Sequence, residues 1–389
     1  MRVLLVHNRY RERGGEDQVF ESELELLTSH GHDVRTYVRS NDEIGPGSMV
    51  QNAIGTIWSG TTHRDVSAML EASPVDVVHV HNTLPLVSPS VYHAARSAKV
   101  PTVQTLHNYR LMCPAAMFLR AGAVCEACLG KRIPWPSVVH ACYRGSRAST
   151  SVVAAMLAWH HARGTYADVV THYIALSEFA VAKHVEGGIP AHRMSVRPNY
   201  LLHDPGAGDG SGGYALFVGR LAPEKGVATL LDAWRLLAGR VPLHIVGDGP
   251  MASDVAVAAH AGIGVTWLGR LDRLEVLEAM RRAALLVLPS HVYEGFPVTA
   301  VEAMATGTPI VASDLGVLRE IIVEGANGVR FARGDGTDLA RKVEALLSDG
   351  PRLSRLRSGA RARFLESYTA DRAYRRLMEI YRVAGVDAP

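Results

Sequence analysis

The sequence predicts an α/β protein made of two Rossmann-like parallel-sheet domains that face each other across a cleft. Short apolar runs alternate with longer segments of helical periodicity along the 389 residues, which is the pattern of a parallel sheet covered by helices. A glycine-rich stretch, residues 204–213, interrupts this alternation, as a flexible connector does. The alternation then restarts, so a second domain of the same kind is expected after the connector.

The elements of the first half are five predicted strands and one clear helix. The strands are Val3–Val6, Val34–Val38, Val75–Val80, Thr102–Leu106 and Thr171–Leu176. A helix is predicted over Gln18–Ser29 because its apolar residues recur at helical spacing, and Gly31 is expected to terminate it.

The second half repeats the pattern with five more strands. These are Tyr214–Val218, Leu243–Val246, Val265–Leu268, Leu285–Leu288 and Pro309–Ala312. Helices are predicted over Val227–Leu237, Leu274 to about Arg281, Val298–Thr306 and, as one stretch, Arg352–Val383.

We therefore predict three parts along the chain. Residues 1–203 form the first domain, with a cysteine-containing insertion at about 110–145, and residues 204–365 form the second. Residues 366–389 are expected to form a C-terminal helix that packs back towards the first domain.

Composition and charge exclude several classes of protein. A formal net charge of +3 is too small to indicate a nucleic-acid partner. No apolar run approaches the roughly 20 residues of a membrane span. The N-terminal residues are typical of a strand that begins at once rather than of a signal peptide, so we expect a cytoplasmic protein.

The four cysteines lie close together in the sequence. Cys113, Cys125, Cys128 and Cys142 are spaced C-x11-C-x2-C-x13-C. One C-x2-C pair with two further cysteines can ligate a structural zinc ion. Free thiols fit the same spacing equally well, and disulfides are a third alternative.

The loop after the strand Tyr214–Val218 carries two cations. Arg220 offers planar bidentate donors and Lys225 a mobile point charge, a combination suited to a pyrophosphate. The N-terminus of the next helix, near Gly226, adds positive potential. The alternative is a surface loop with two solvated charges.

A second motif, residues 294–302, contains two carboxylates eight positions apart. Pro297 keeps Glu294 out of the following helix, while Glu302 lies inside it. Gly295 allows a close approach of the backbone to a ligand, and the amides of Phe296 and Val298 lie near the helix N-terminus. We predict that Glu302 binds a ribose and Glu294 a sugar hydroxyl. A helix-capping residue and a surface glutamate are the structural alternative.

Four motifs in order closely resemble family 4 of the retaining glycosyltransferases. They begin at Gly219 (G-R-L-x-x-E-K-G), Val246 (V-G-D-G-P), Glu294 (E-G-F-P-x4-E-A-M-A) and Gly307 (G-x-P-x-V-A-S-x2-G-x3-E). The resemblance implies the GT-B fold, a nucleotide-sugar donor, retention of anomeric configuration and no requirement for a metal cofactor.

The resemblance also implies roles for individual residues. The E-x7-E pair of the family corresponds to Glu294 and Glu302, and its phosphate-binding pair to Arg220 and Lys225. Its base-contacting segment corresponds to the region near Trp267–Arg270, so Gly247 and Arg270 are expected on the donor side together with Gly295, Phe296, Pro297 and Val298.

The acceptor side is expected at the strand ends of the first domain. The resemblance places the loop around Gly14, Gly15 and Glu16 near the donor phosphates and the acceptor, and His107 on the transferred sugar. His81, Asn108 and Tyr109 follow neighbouring strand ends. The alternative for both histidines is a hydrogen-bonded structural role.

The substrate prediction is a nucleotide-diphosphate sugar, with UDP favoured, and a hydroxyl acceptor. Seven Arg or Lys residues against one acid in Pro101–Arg163 indicate an anionic acceptor, or a lipid-linked one at the inner face of the membrane with peripheral contact. The sequence resembles bacterial members that build surface polysaccharides. A GDP-mannose-type donor, a natural-product acceptor, a GT-B epimerase and a non-catalytic sugar-binding module are the alternatives.

Overall fold

The computed structural model describes residues 1–45 and 49–388, and they divide into two compact units. The first contains residues 1–118 and 125–199 within these limits, and the chain from Ala370 onward. The second contains Leu119–Val124 and Tyr200–Thr369. The boundary between the units thus lies at residue 200, whereas the sequence placed it at residue 204. The last helix belongs to the first unit.

The first unit is built on a parallel sheet of six strands in the order β2-β1-β3-β4-β7-β8. The strands are β1 (Arg2–Arg9), β2 (Asp33–Ser40), β3 (Val77–Val80), β4 (Thr102–Leu106), β7 (His172–Ala175) and β8 (Met194–Val196). A separate two-stranded ribbon, β5 (Leu119–Arg120) and β6 (Ala123–Val124), belongs to the second unit.

Helices fill the connections of the first sheet. They are α1 (Gly15–Ser29), α2 (Met49–Ile57), α3 (Gly60–Ala72), α4 (Ser90–Ser97), α5 (Trp135–Val139), α6 (Arg147–Ala162) and α7 (Glu178–Glu186). The last helix, α15 (Ala370–Val383), packs against the sheet: Leu377 and Tyr381 share a buried cluster with Val3, Leu5 and Val77.

The second unit repeats the architecture with a parallel sheet in the order β11-β10-β9-β12-β13-β14. The strands are β9 (Ala215–Val218), β10 (Leu243–Val246), β11 (Val265–Gly269), β12 (Leu285–Leu288), β13 (Ile310–Ser313) and β14 (Gly328–Phe331). The prediction of two Rossmann-like parallel-sheet domains is confirmed.

The helices of the second unit cover this sheet. They are α8 (Val227–Leu237), α9 (Ala252–His260), α10 (Arg273–Arg282), α11 (Val298–Ala305), α12 (Leu318–Ile321), α13 (Gly336–Leu347) and α14 (Gly350–Ser367). Trp234, fully buried on α8, packs in the core and donates its indole N–H to the carbonyl of Val241 at 2.8 Å.

The C-terminal stretch Arg352–Val383, which was predicted to be helical, consists of two helices, α14 and α15. The chain leaves the helix at Tyr368, whose carbonyl accepts a hydrogen bond from the amide of Leu201 at 3.1 Å. Thr369 forms a parallel bridge with the same residue. The backbone groups there are satisfied outside the helix, so α14 and α15 are separate elements.

None of the helices in the described ranges is both long enough and apolar enough to cross a lipid bilayer.

Candidate functional site

The candidate donor site of the second unit lies where three adjacent strands, β10, β9 and β12, end. Two glycines bring the following loops into backbone contact. A Cβ on Gly247, at φ +136°, would lie 1.9 Å from the carbonyl oxygen of Gly219. A Cβ on Gly226, at φ +72°, would lie 1.8 Å from the carbonyl oxygen of Pro289. Any side chain at either position would force these strand ends apart.

This close approach joins Lys225, on the loop after β9, to Glu294, on the loop after β12. The ammonium group of Lys225 donates to both carboxylate oxygens of Glu294, at 2.8 and 2.9 Å. Ser290 donates its hydroxyl to Oε1 of the same carboxylate at 2.5 Å. Residues 69 positions apart therefore form one charged cluster.

The carboxylate of Glu294 is held ionised in this cluster. Its side chain is 12% exposed, and burial by itself raises the pKa of the group. The positive charge and hydrogen bonds of Lys225, together with the hydroxyl of Ser290, outweigh burial and lower the pKa below its ordinary value. Lys225 remains one-third exposed, so a ligand can still reach its ammonium group.

Arg220 is the second cation of the same loop and is largely available to a ligand. Its side chain is 63% exposed, and its guanidinium lies 3.8 Å from the carboxylate of Glu224. The carbonyl of Glu224 in turn accepts a hydrogen bond from the amide of His291 at 2.9 Å. This bond fixes the loop after β9 to the loop after β12, beside the Lys225–Glu294 pair.

Glu302 lies inside α11, as the spacing after Pro297 predicted. Pro297 precedes the first helical residue, Val298, and Gly295 and Phe296 belong to the preceding loop. Glu302 is 6% exposed and its Oε1 lies 4.0 Å from Nε of Arg273. The ring of Phe296 is buried and packs near Tyr368 at 5.7 Å between centroids.

The loop after β11 brings Arg270 towards the end of β10. Its Nε lies 3.5 Å from the carboxylate of Asp248, and its side chain is 70% exposed. The indole N–H of Trp267 donates to the carbonyl of Gly247 at 3.0 Å. Arg270 and Gly247 are thus neighbours in the same unit as the Lys225–Glu294 pair.

In the first unit, three histidines form a column at the ends of β3 and β4. The ring of His81 stacks between those of His79 and His107, with centroids 4.8 and 5.2 Å away. Nδ1 of His81 and Nε2 of His107 share a hydrogen bond of 3.0 Å. Burial lowers the pKa of His107 to about 3 and those of His79 and His81 well below the ordinary value, so all three rings are neutral at pH 7.

Glu16 connects the loop after β1 to the loop after β4. Asn108 donates to its Oε1 at 2.5 Å and Tyr10 donates to its Oε2 at 3.0 Å. Burial raises the pKa of Glu16 above its ordinary value despite these donors. Gly14 is the N-cap of α1, which begins at Gly15, and it donates its amide to Asp17 at 2.9 Å.

Tyr109 is placed differently from the prediction of an acceptor contact. It is 1% exposed, and its ring packs near those of Phe118 and His184 at 5.1 and 5.7 Å. This burial gives Tyr109 a packing role beneath the strand ends, whereas Asn108 and His107 remain partly accessible.

None of the four cysteines forms a disulfide, and Cys113 and Cys128 are buried. Burial, with smaller contributions from the neighbouring Cys113 and Cys142, raises the pKa of Cys128 to about 11. Within residues 1–45 and 49–388, no group of three or more His, Cys, Asp or Glu side chains is arranged to hold a metal ion. The zinc hypothesis gains no support from this geometry and stays a prediction.

Sequence reasoning gave no role to several residues that the structure adds to these sites. Ser290 orients Glu294, and Arg273 approaches Glu302. In the first unit, His7 binds the carboxylate of Asp17 at 2.9 Å. A serine two positions after the buried parallel strand β12 was the available signal for Ser290. Arg273 lies 29 positions before its partner, with no pattern to link them.

Two family models match successive parts of the chain. Residues 14–200 match the model described as "Glycosyl transferase 4-like domain". Residues 206–363 match the model described as "Glycosyl transferases group 1". The two matched segments meet near residue 200, where the two compact units also change.

Curated relatives match either one part or most of the chain. Glycogen synthase of Mycobacterium tuberculosis is 38% identical over 159 residues, 39% of this chain and 38% of that protein. This alignment, and those with two uncharacterised glycosyltransferases of Methanocaldococcus jannaschii, span less than half of those relatives' length. D-inositol 3-phosphate glycosyltransferase of Mycolicibacterium smegmatis is 29% identical over 92% of this chain and 85% of its own.

The fold is also that of solved glycosyltransferase structures. Anabaena Alr3699/HepE, crystallised with UDP, superposes with a TM-score of 0.70 at 17% identity, covering 97% of this chain and 99% of that chain. At this identity the likeness concerns the fold alone. With both halves matched by glycosyltransferase models and the fold shared, we assign the chain to the GT-B glycosyltransferases.

Proposed function

We propose that the protein is a retaining glycosyltransferase that moves a sugar from a nucleotide-diphosphate donor, with UDP favoured, to a hydroxyl acceptor. The observation that carries the proposal is the Lys225–Glu294 pair beside Arg220. It combines cations for a diphosphate with an ionised, oriented carboxylate for sugar hydroxyls, all within one compact unit.

Lys225 and Arg220 are proposed to bind the diphosphate and to stabilise the charge that grows on it as the glycosidic bond breaks. Preorganised cations at a developing negative charge are among the strongest catalytic contributions. The bonds to Glu294 hold the ammonium group of Lys225 in place before the ligand arrives. The exposed guanidinium of Arg220 can turn towards a phosphate oxygen with its planar donors.

The two glutamates are proposed to bind different parts of the donor. Glu294, ionised and oriented by Ser290, accepts hydrogen bonds from the transferred sugar. Glu302, nearly buried on α11, accepts them from the ribose. Gly247 and Arg270 are proposed to lie near the base. The two cations take the place of a bridging metal ion, so we propose a reaction without a metal cofactor.

The first unit is proposed to supply the acceptor side. His107 is neutral at pH 7, so it can donate or accept a hydrogen bond without adding charge. Glu16, in the first turn of α1, and Asn108, on the loop after β4, form a polar pair. The raised pKa of Glu16 suits a group that exchanges a proton with an acceptor hydroxyl.

The identity of the donor nucleotide and the use of the product are the most specific parts of the proposal. HepE was crystallised with UDP and with UDP-glucose, and it shares the fold of this chain, which supports the preference for UDP. The basic segment Pro101–Arg163 supports an anionic or lipid-linked acceptor. We place the reaction in surface-polysaccharide or glycoconjugate biosynthesis.

A thermal-shift panel of UDP, GDP, ADP and TDP, alone and as sugar nucleotides, tests the donor. A ligand present at about 100 times its Kd stabilises the folded protein by about 2.7 kcal/mol. UDP and one UDP-sugar should therefore raise the melting temperature in wild type and much less in Lys225→Ala. Lys342→Ala, which removes a lysine 3.8 Å from Glu324 on another part of the same unit, is the matched control.

Two outcomes would contradict the proposal. Equal stabilisation of wild type and Lys225→Ala would show that the diphosphate binds elsewhere. Incubation with the sugar nucleotide alone, followed by analysis of the sugar, distinguishes transfer from epimerisation. A stereoisomer of the donor sugar would identify an epimerase instead.

A further inference from the structure

We propose that the first unit binds an anionic lipid bilayer through a surface made by α2, α5 and α6, which we call the basic apolar face. The proposal does not depend on the transfer reaction. It rests on the grouping of exposed apolar side chains, on a groove between two helices, and on a run of cations without acids.

Exposed apolar side chains are concentrated on these three helices and the loop before α5. Single exposed apolar residues are ordinary, but a group of them marks an interaction surface. In the described residues fifteen large hydrophobic side chains are exposed, and six of them lie here. These six are Val50, Ile54, Ile133, Trp135, Val139 and Trp159. Both exposed tryptophans of the described ranges are among them.

Helix α2 presents one apolar side to solvent. Val50 and Ile54 are four positions apart and therefore lie on the same face, where they are 66% and 60% exposed. The opposite side of α2, with Thr56, packs on α6. α2 contains no charged residue. A helix with a free aliphatic face is an element that inserts at the apolar boundary of a bilayer.

A groove of about 460 Å³ opens between the end of α2 and the end of α6. It is lined by Ile54, Ile57, Trp58, Trp159 and Arg163. The guanidinium of Arg163 lies 5.3 Å from the ring centre of Trp159. An exposed indole next to a cation is typical of the interface between acyl chains and lipid headgroups, because the ring is apolar and its N–H is polar.

The charged residues in the segments that form this face are all positive. Residues 131–163 contain Lys131, Arg132, Arg144, Arg147 and Arg163 and no Asp or Glu, and residues 49–64 contain no acid either. All five cations are exposed. Basic residues beside apolar side chains attract anionic headgroups, and each contribution is screened by salt.

An anionic membrane explains this combination better than a second copy of the chain does. A symmetric dimer through this face would bring the five cations of one copy against the same five of the other. Such like-charge contacts are unfavourable at an interface. A bilayer carrying anionic headgroups neutralises the cations and accepts the indole and aliphatic groups at the same time.

Vesicle co-sedimentation tests the proposal with the full chain. Wild type should sediment with phosphatidylcholine vesicles that contain phosphatidylglycerol, remain in the supernatant with phosphatidylcholine alone, and dissociate as salt is raised. Ile54→Ser/Trp159→Ser should lower the partition coefficient roughly tenfold or more, because two apolar anchors are lost. Arg147→Ala/Arg163→Ala should lower it and weaken its salt dependence.

Matched controls distinguish binding through this face from non-specific adsorption of the protein to vesicles. Leu274→Ser changes a side chain that is 78% exposed on α10 of the second unit and should leave sedimentation unchanged. Arg235→Ala/Arg240→Ala removes two exposed cations there and should have little effect. An unchanged melting temperature in Ile54→Ser/Trp159→Ser shows that the fold is intact, because both side chains are at least half exposed.

Three results would overturn the proposal. If the wild-type protein does not sediment with anionic vesicles at low salt, it has no such membrane-binding surface. Full binding by Ile54→Ser/Trp159→Ser places the membrane contact elsewhere. A wild-type dimer in light scattering that Ile54→Ser/Trp159→Ser converts to a monomer assigns the face to a second copy of the chain.

Discussion

Replacing Lys225 by alanine, alone and together with Glu294→Gln, separates the two roles of its ammonium group, in folding and in binding. The wild-type group makes two charge-assisted hydrogen bonds to Glu294, at 2.8 and 2.9 Å. In Lys225→Ala the carboxylate of Glu294, which is 12% exposed in the wild type, keeps the hydroxyl of Ser290 but loses the ammonium group. Burial then acts without its main opposing charge and raises the pKa of Glu294 relative to wild type.

The expected loss of stability follows from this exposure. Removing one partner of a fully buried ion pair costs about 3–5 kcal/mol. Because Lys225 is one-third exposed and water reaches the site, we expect about 1–3 kcal/mol instead. The affinity for UDP should fall about ten- to a hundredfold, which is the loss of one charge-assisted contact to a phosphate.

Calorimetric titration with UDP and thermal unfolding should be run on three variants. Lys225→Ala should lose both stability and affinity. Lys225→Ala/Glu294→Gln also removes the negative charge of the carboxylate, so it should regain most of the stability but none of the affinity. Lys342→Ala should resemble wild type in UDP affinity. UDP carries no transferred sugar, so the proposed hydroxyl contact of Glu294 does not affect this comparison.

Either of two results would refute this double role of Lys225. The first is a UDP affinity in Lys225→Ala within twofold of wild type, because the ammonium group then contacts no phosphate. The second is recovery of affinity together with stability in the double variant, because the loss in Lys225→Ala was then a consequence of disturbed folding.

Three further predictions concern a backbone contact, a carboxylate and the histidine column. Gly226→Ala should destabilise the protein several times more than Gly262→Ala and should abolish UDP binding. Both glycines have φ near +70°. A Cβ on Gly226 would lie 1.8 Å from the carbonyl oxygen of Pro289, whereas a Cβ on Gly262 would meet nothing within 4 Å. Equal melting temperatures for the two variants would show that the approach to Pro289 is not needed. Glu302→Gln should weaken UDP binding about tenfold or more, measured against Glu344→Gln, which removes an exposed partner of Arg240; equal affinities would remove Glu302 from the ribose site. The lowered pKa values of His79, His81 and His107 mean that the unfolded chain binds more protons below pH 6.5. The unfolding free energy should therefore be fully retained above pH 6.5 and fall as the pH drops towards 5, by up to about 1.4 kcal/mol per pH unit for each histidine; a flat profile from denaturant titrations would contradict the neutral column.

The sequence predicted most of the strands because parallel strands buried on both faces are continuous apolar runs. Thr102–Leu106 and Leu285–Leu288 have the predicted bounds. The sixth strand of each sheet lacked this signal. Met194–Val196 has three partly buried residues at an edge of the sheet. Gly328–Phe331 begins at a glycine packed against the carbonyl of Ile310, where composition alone indicates a turn.

The sequence predicted which loops carry the site residues, but not which of these residues bind each other. Strand ends and motif spacing located Arg220, Lys225, Glu294 and Glu302 in one unit. That Lys225 binds Glu294 directly depends on the backbone contact between Gly226 and Pro289, which no local pattern reveals. Tyr109 was predicted on the acceptor side because it follows the end of β4, but its ring is buried against Phe118 and His184. The sequence did not reveal this packing.

A crystal structure of the protein with a bound UDP-sugar measures the central claim most directly. The account predicts diphosphate oxygens within hydrogen-bond distance of Nζ of Lys225 and of the guanidinium of Arg220, with a ribose hydroxyl on Glu302. A diphosphate bound away from both cations, with the Lys225–Glu294 pair untouched, would contradict it.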